Sequence, residues 1–190
     1  MGSSYLTNPV VFIVSTLFGL YILAVMLRLL LQLSRADFYN PVSQFLVKIT
    51  QPVLRPLRRV IPGLGGIDLA AVLLLLVLQM LQFVVVGLIS GRMAPPAPML
   101  VLAIGELLEL LLNVYLFAII IRAVLSWVQP GYNPVTGLIY SITDPVLRPA
   151  QRIIPPMGGL DLSPLVVILG LQVLKMLVLP PIQQLARAVW

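Results

Sequence analysis

The chain contains neither cysteine nor histidine among its 190 residues, and only 9% of its residues are charged. The absence of cysteine and histidine excludes disulfides, thiol nucleophiles and Cys/His metal sites. It also excludes a haem held by a histidine or cysteine of the protein. A catalytic triad lacks its usual base, because a serine or threonine nucleophile is normally activated by a neighbouring histidine. We therefore expect no enzyme activity, no metal and no cofactor.

Hydrophobic residues make up 60% of the chain, far too much to hide inside a soluble globule of this length. Soluble domains also carry about 25% charged residues. The apolar residues form four blocks of the length that a bilayer requires of a helix, about 20 residues. These blocks cover residues 9–33, 67–89, 99–128 and 162–186. The sequence thus predicts an all-α membrane protein with four transmembrane helices.

The net charge of +6 comes from 12 basic and 6 acidic residues. A basic balance can indicate nucleic-acid binding. In a membrane chain, however, it is more typical of positive-inside topology and of contact with anionic lipid headgroups. We therefore expect the lipid bilayer to be the anionic partner, and we expect no nucleic acid.

A long motif occurs twice. Residues 50–69 read TQPVLRPLRRVIPGLGGIDL, and residues 143–162 read TDPVLRPAQRIIPPMGGLDL. The duplication predicts two units, each made of a span, a basic proline-rich connector and a second span. Repeat 1 covers residues 9–89, a linker covers 90–98, and repeat 2 covers 99–186. Because each unit has two spans, both enter the membrane in the same sense. We expect parallel repeats with pseudo-two-fold symmetry about the membrane normal.

Each connector has an amphipathic pattern with a basic polar face, which predicts a helical elbow lying in the membrane interface. In the first connector, Pro52 and Pro56 predict that a short helix over 41–50 ends and a second one restarts. The second connector is expected to do the same, with Asp144 as a cap and Pro145 in the first turn of the restarted helix. The residues expected to shape the two elbows are Pro52, Pro56, Gly65, Gly66, Pro145, Pro149, Gly158 and Gly159. The cations expected to contact lipid headgroups or a protein partner are Lys48, Arg55, Arg58, Arg59, Arg148 and Arg152.

Loop charge also predicts orientation. The connectors hold most of the loop arginines, whereas the opposite side holds only Arg92 and Arg187. The positive-inside rule therefore places both connectors in the cytoplasm and both termini in the periplasm of a bacterial inner-membrane protein.

Charged residues near the connector ends of the spans recur in both repeats. Arg28 and Arg122 lie inside spans one and three, and Asp68 and Asp161 precede spans two and four. One interpretation is that the arginines snorkel to the interface and the aspartates cap helices. The alternative is an ion pair within each repeat, Arg28 with Asp68 and Arg122 with Asp161.

Three further charges belong to the second repeat only. Lys175 lies near the middle of span four, and Glu106 and Glu109 share one face of span three. A contact between glutamate and lysine across these spans would neutralise a cation that is costly in the bilayer. The alternative is that the glutamates lie near the outer headgroups and Lys175 faces a partner subunit. We favour pairing within the chain over an ion pathway.

The chain resembles the YggT (YlmG) family of bacterial membrane proteins, in its two-repeat form. The resemblance rests on NPVSQFLVKITQPVLRPLRRVIPGLGGIDLA and NPVTGLIYSITDPVLRPAQRIIPPMGGLDLSP, with flanking spans that extend it over nearly the whole chain. It implies a membrane accessory role, which in this family has been connected with osmotic tolerance and potassium uptake, cell division, and cofactor attachment to a plastid cytochrome. It implies no catalytic residues.

Two functions remain open at this point. The first is an accessory or scaffold protein that supports a larger membrane complex, with another membrane protein or a second copy of the chain as partner. The second is a component of an ion transport or channel system, for which Glu106, Glu109 and Lys175 are the relevant residues. The duplicated elbows and the lack of a catalytic set favour the first.

Overall fold

The computed structural model describes residues 3–128, 133–154 and 161–189. The regular structure in these ranges is helical, apart from one isolated pair of backbone hydrogen bonds in a turn. The helices are α1 (Ser3–Leu33), α2 (Pro41–Val60), α3 (Leu69–Ser90), α4 (Pro96–Val128), α5 (Pro134–Ile153) and α6 (Ser163–Ala188). The predicted all-α fold is confirmed.

Four of these helices are long and apolar enough to cross a membrane. They contain the candidate spans Thr7–Leu33, Leu69–Ser90, Pro96–Ser126 and Ser163–Ala188. The shortest span has 22 residues, which at about 1.5 Å per residue exceeds the hydrocarbon thickness of about 30 Å. The other two helices, α2 and α5, fill the predicted connectors, so the four spans and their two-repeat order are confirmed.

The connector helices begin in the same way in both repeats. The Asn40 side chain accepts a hydrogen bond of 2.9 Å from the Val42 backbone N–H, and Asn133 does the same for Val135, also at 2.9 Å. In each case a proline follows the asparagine at the first helical position, where a missing N–H costs nothing. The duplicated Asn-Pro pair is therefore a helix start signal.

The predicted breaks in the two connectors are wrong, because α2 runs without interruption from Pro41 to Val60 and α5 from Pro134 to Ile153. Pro52 and Pro56 lie inside α2, and Pro145 and Pro149 lie inside α5 in the same way. An internal proline removes one hydrogen bond to the carbonyl four residues earlier. In α2 both prolines and the preceding Lys48 are exposed, so the freed carbonyls stay accessible to water or headgroups and the helix tolerates the loss.

A tight turn after α2 reverses the chain toward α3. Leu64 and Ile67 exchange two backbone hydrogen bonds of 3.0 and 3.1 Å, and the two residues between them, Gly65 and Gly66, have φ values of +61° and +86°. Positive φ at both central positions defines a type I′ turn, which favours glycine. The prediction that Gly65 and Gly66 shape the elbow is confirmed, while Gly158 and Gly159 lie outside the described residues.

We expect Gly66→Ala to destabilise the protein through backbone strain alone. A Cβ at this position meets no atom within 4 Å, so the cost is that of a left-handed conformation, about 1–2 kcal/mol. The measurement is the free energy of unfolding in lipid bicelles. Gly19→Ala is the matched control, since it also adds a methyl into open space but within α1, where alanine is the better helix former. Equal effects of the two substitutions would contradict the assigned turn.

The four spans pack in the order α1, α3, α4, α6. The first and last pairs belong to one repeat each, and the central α3–α4 contact joins the repeats. A two-fold axis would require a matching contact between α6 and α1, and the described residues form none of comparable extent. The predicted pseudo-two-fold symmetry is therefore not what the structure shows. The repeats are instead arranged head to tail. The sequence could not show this, because duplication makes two units equivalent without fixing the symmetry operator that relates them.

A second contact between the repeats lies beside the connector helices. The Asn40 side chain donates a hydrogen bond of 2.6 Å from Nδ2 to the Pro134 carbonyl at the start of α5. Next to it, an apolar cluster joins α1 and α2 of the first repeat to α5 of the second. Its buried members are Ala24, Leu31, Ala36, Leu46, Leu138 and Ile142. The second connector helix is thus held against α1 and the start of α2 of the first repeat.

Candidate functional site

Helix α2 presents a buried face to the spans that flank it. Leu46, Thr50 and Leu54 are buried on this face, and Leu54 belongs to the main apolar cluster of α1 and α3. In α5 the equivalent positions include Thr143 and Leu147, both fully buried. Each connector helix is therefore docked on its own repeat.

The remaining surface of α2 divides into an apolar face and a cationic face. Phe45 and Val60 are 60% and 81% exposed, so the apolar residues predicted to form a single face are split between the protein interior and the surroundings. On the side away from the docked face, Lys48, Arg55 and Arg59 are exposed and follow one another along one stripe of the helix. This division into docked, apolar and cationic faces suits a helix at a membrane surface.

Arg28 fixes α2 to the first span. The side chain is 5% exposed, and its guanidinium donates hydrogen bonds of 2.6 Å to Thr50 Oγ1 and 2.6 Å to Gln51 Oε1. Thr50 in turn donates to the Leu46 carbonyl at 2.6 Å. A buried guanidinium without such acceptors would be strongly destabilising, so this contact determines how α2 sits against α1.

Arg122 makes the equivalent contact in the second repeat. Its guanidinium donates to Thr143 Oγ1 at 2.8 Å and to Asp144 Oδ1 at 2.6 Å, and it lies 4.3 Å from the ring centroid of Tyr140. Asp144 also forms an ion pair of 2.7 Å with Arg148. The position that holds Gln51 in the first repeat thus holds a carboxylate in the second.

The two aspartates before spans two and four form a second duplicated contact. Asp68, which is 5% exposed, forms an ion pair with Arg58 and accepts a hydrogen bond of 2.9 Å from its Nε atom. It also caps α3 by accepting from the Ala71 N–H at 3.2 Å. In the second repeat, Asp161 accepts a hydrogen bond of 2.8 Å from Gln151 Nε2. Gln151 occupies the position that corresponds to Arg58.

Asp161 lies just outside the fourth span, one residue before the N-cap residue Leu162. Its Oδ1 atom accepts a hydrogen bond of 2.9 Å from the Ser163 backbone N–H. Partial burial by itself would raise the pKa of this carboxyl, but the hydrogen bonds from Ser163 and Gln151, helped by the charge of Arg122, lower the pKa overall. Asp161 is therefore an ionised carboxylate beside the positive N-terminal end of α6.

The predicted ion pairs of Arg28 with Asp68 and of Arg122 with Asp161 are not what the structure shows. Each arginine lies opposite the middle of a connector helix and donates a hydrogen bond to the threonine there, Thr50 or Thr143. The Gly65–Gly66 turn instead returns Asp68 to the last turn of α2, beside Arg58. The alternative interpretation of the aspartates as helix caps is confirmed for Asp68, which caps α3 through the Ala71 N–H. Asp161 instead precedes the N-cap residue Leu162 and accepts from the Ser163 N–H at the start of α6.

We expect Arg58→Gln to be tolerated and Arg58→Leu to destabilise the protein. Glutamine is the residue that pairs with Asp161 in the second repeat, so it supplies a donor to Asp68, whereas leucine leaves that buried carboxylate with its cap alone. Thermal unfolding in detergent measures the difference, and Gln151→Leu is the matched control at an exposed copy of the contact. Similar losses for the two Arg58 variants would show that charge, rather than a hydrogen-bond donor, is what Asp68 requires.

The cations predicted to contact lipid or a partner differ in availability. Arg58 and Arg148 are engaged in the ion pairs with Asp68 and Asp144. The other four form no ion pair or hydrogen bond among the described residues and are exposed: Lys48, Arg55, Arg59 and Arg152. Three of these four lie on α2, so the first elbow carries more free positive charge than the second.

A polar cluster lies at the contact between α4 and α6. Lys175 Nζ donates to Glu109 Oε1 at 3.1 Å and to Asn113 Oδ1 at 2.8 Å. The predicted pairing of a glutamate with Lys175 across spans three and four is confirmed, and Glu109 is the glutamate concerned. Glu106 makes no ion pair or hydrogen bond among the described residues. It lines, with Gln183, a cavity of about 30 Å³ between the two helices.

An apolar layer separates this cluster from the connector helices. Between Asn113 and Arg122, α4 contributes Leu116 and Ile119 to a buried cluster with Leu147 and Leu171. Ile119 and Leu147 are fully buried. The polar side chains of the second repeat therefore form two separate groups rather than a continuous path.

The sequence interpretation missed several residues of the site. Thr50 and Thr143 are the shared acceptors of the two arginines, and Asp144 and Gln151 complete the contacts of the second repeat. The available signal was the recurrence of a threonine at the boundary of the predicted apolar face. A duplicated polar residue at such a boundary indicates a buried hydrogen bond.

The profile of the CCB3/YggT family matches residues 7–89 and 101–182, one segment for each repeat. The chain belongs to the CCB3/YggT family. A Vibrio alginolyticus protein, described by its place in the proC 3′ region, is 50% identical over 167 residues, which cover 87% of this chain and 90% of that protein. The YggT protein of Escherichia coli K12 is 38% identical over 172 residues, covering 89% and 88%.

More distant similarity extends to plastids. The chloroplastic YlmG homolog protein 2 of Arabidopsis thaliana is 38% identical over 60 residues, which cover 32% of this chain and 24% of that protein. No solved structure matches the chain. Neither bacterial relative carries a name that states an activity, so the CCB3/YggT assignment establishes a multi-pass membrane protein of a bacterial family and leaves its task to be inferred.

Proposed function

We propose that this CCB3/YggT protein is an accessory protein of the bacterial inner membrane that supports a larger membrane complex and catalyses no reaction of its own. The observation that carries the proposal is the duplicated clamp of Arg28 on Thr50 and Arg122 on Thr143. It holds two amphipathic helices beside the spans while their outer faces stay free. A pair of fixed surface helices is suited to binding rather than to chemistry.

The cationic stripe of the first elbow is the part of this surface proposed to bind. Lys48, Arg55 and Arg59 are exposed and without partners among the described residues. Each cation near an anionic membrane surface contributes about 1 kcal/mol, so the stripe anchors α2 among headgroups. The same charges are available to acidic groups of a neighbouring membrane protein. The proposal includes an orientation with the elbows in the cytoplasm and the termini in the periplasm, which the positive-inside rule supports.

Purification of the tagged chain from native membranes tests the accessory role. The triple variant Lys48→Gln, Arg55→Gln and Arg59→Gln is expected to lose a co-purifying protein while its membrane level stays unchanged. The matched control is Arg92→Gln with Arg187→Gln, which removes cations from the opposite side of the membrane. Equal recovery of all associated proteins with the triple variant and with the unaltered chain would contradict the proposal.

A reporter fused after Trp190 tests the orientation. Alkaline phosphatase is active only after export, and green fluorescent protein fluoresces when it stays inside. We expect an active phosphatase fusion and a dark fluorescent fusion. The opposite result would place the elbows in the periplasm and remove the basis for their contact with anionic cytoplasmic lipid.

A role in ion transport is the second candidate, and the cluster of Lys175, Glu109 and Asn113 inside the spans is the observation that favours it. Intramembrane charges commonly mark ion or proton paths. The apolar layer around Ile119 argues against a continuous path within one chain. Potassium flux into liposomes containing the purified protein tests the candidate. A flux that disappears in Lys175→Leu would favour transport over the accessory role.

A further inference from the structure

The contact between the repeats has no counterpart at the ends of the chain. Helix α3 of the first repeat packs against α4 of the second, but no described helix packs in the same way on α6, which is equivalent to α3. Likewise, no described helix covers the face of α1 that is equivalent to the α3-facing side of α4. A head-to-tail contact always leaves two such complementary faces, one at each end.

The free face of α6 can be identified from the repeat. In α3, Leu75 is 3% exposed and belongs to the apolar cluster shared with α4, and Leu76 lines the groove between these helices. The residue of α6 that corresponds to Leu76 is Leu169, which is 58% exposed. The same helix position is thus covered in one repeat and open in the other.

The free face of α1 is identified in the same way. On α4, Leu107 and Leu111 are partly buried and pack on the cluster that contains Leu75. Their counterparts on α1 are Ile13 and Leu17, which are 56% and 62% exposed. These residues and Leu169 are large and apolar, as their counterparts are. The two free faces therefore resemble in composition the faces that meet between α3 and α4.

Two polar residues indicate that protein, rather than lipid, covers these faces. Gln79 on α3 is buried and donates to Gln82 at 3.3 Å. Its counterpart Gln172 on α6 is exposed and has no hydrogen bond among the described residues, although an amide without a partner is costly in hydrocarbon. Asn40 uses its amide nitrogen to bind Pro134 across the repeats. Its counterpart Asn133 is exposed, and among the described residues its side chain makes only the capping contact to Val135.

We propose that a second copy of the chain packs its α1 against α6 in the way that α4 packs against α3. The Asn133 amide of the first copy then donates to the Pro41 carbonyl of the second. Each copy offers α6 to one neighbour and α1 to another, so the assembly is a ring or a row of copies rather than an isologous dimer. The proposal does not depend on whether the elbows recruit another protein.

The absence of cysteine allows a direct test by cross-linking in native membranes. Leu17→Cys and Leu169→Cys are placed on the same chain and oxidised. The expected product is a ladder of dimers, trimers and longer species, because each copy links to two neighbours. The positive control is Leu76→Cys with Leu111→Cys, which samples the existing contact and is expected to cross-link within one chain.

The matched negative control is Phe12→Cys with Leu169→Cys. Phe12 is 70% exposed on α1, but its counterpart Glu106 faces α6 rather than α3, so it points away from the proposed contact. Asn133→Asp provides a second variant, since aspartate keeps the helix cap and removes the amide donor. We expect it to reduce the ladder several-fold without changing membrane level.

Two results would overturn the proposal. In the first, the positive control forms its internal link, but the Leu17–Leu169 pair gives no higher cross-linking yield than the Phe12–Leu169 pair. This result would mean that lipid covers both faces. The other is a product that stops at the dimer, which would indicate an isologous contact instead of a head-to-tail one.

Discussion

Glu109→Leu is expected to cause the largest loss of stability of any single substitution in the spans. Glu109 is the only carboxylate paired with Lys175 among the described residues, and Lys175 lies in the middle of α6. A lysine without a counter-charge at the centre of a membrane helix costs about 2.5–3.5 kcal/mol on insertion scales. Steric trapping in lipid bicelles measures the free energy of unfolding directly.

Two further variants isolate the ion pair as the cause. The double variant Glu109→Leu with Lys175→Met is expected to recover most of the loss, because replacing a buried pair by apolar residues is often neutral or stabilising. Glu106→Leu is the matched control, since this glutamate lies one turn away and has no partner among the described residues. If the double variant is as unstable as the sum of its two single variants, Glu109 and Lys175 do not act as a pair.

Asp144→Ala is expected to release α5 from the third span. The substitution removes the only ionised acceptor of Arg122 among the described residues and leaves this guanidinium with Thr143 and the Tyr140 ring. A hydrogen bond to a charged group contributes about 1.5–3 kcal/mol. We expect faster hydrogen exchange in α5, while exchange in α2, whose clamp is unchanged, stays the same and serves as an internal reference.

The first repeat supplies the control for this prediction. Gln51 accepts the bond from Arg28 at the position that corresponds to Asp144, so Asp144→Gln is expected to retain most of the protection that Asp144→Ala loses. In the opposite direction, Gln51→Asp is expected to slow exchange in α2 by giving the buried Arg28 a carboxylate. Identical exchange in the glutamine and alanine variants would show that the position acts only through its charge.

The spans, the connectors and the duplication could be predicted from the sequence because each depends on a strong local pattern. Apolar blocks of membrane length leave few alternatives, and the Asn-Pro and Gly-Gly pairs mark helix starts and turns by their own conformational limits. The pairing of Glu109 with Lys175 was predictable for a related reason, since an intramembrane cation has few possible partners.

Other features depend on how helices turn relative to one another, which the sequence does not state. Several possible hydrogen-bond acceptors lie at similar sequence separations from Arg28. The rotation of α2 about its axis decides that Thr50 and Gln51 are the ones within reach. The head-to-tail arrangement is a further case, because identical repeats are compatible with several symmetries. The uninterrupted α2 was missed because the effect of Pro52 depends on whether the freed carbonyl is exposed.

The prolines inside α2 have a consequence for how deeply the elbow can sit. Pro52 and Pro56 lie at the border between the cationic and the apolar face, and each leaves one backbone carbonyl without its helical donor. A carbonyl without a partner is not tolerated in hydrocarbon, so this border must stay at the level where water and headgroups begin. Together with Arg28, which fixes the rotation of the helix, the prolines therefore limit how deeply the elbow can enter the bilayer.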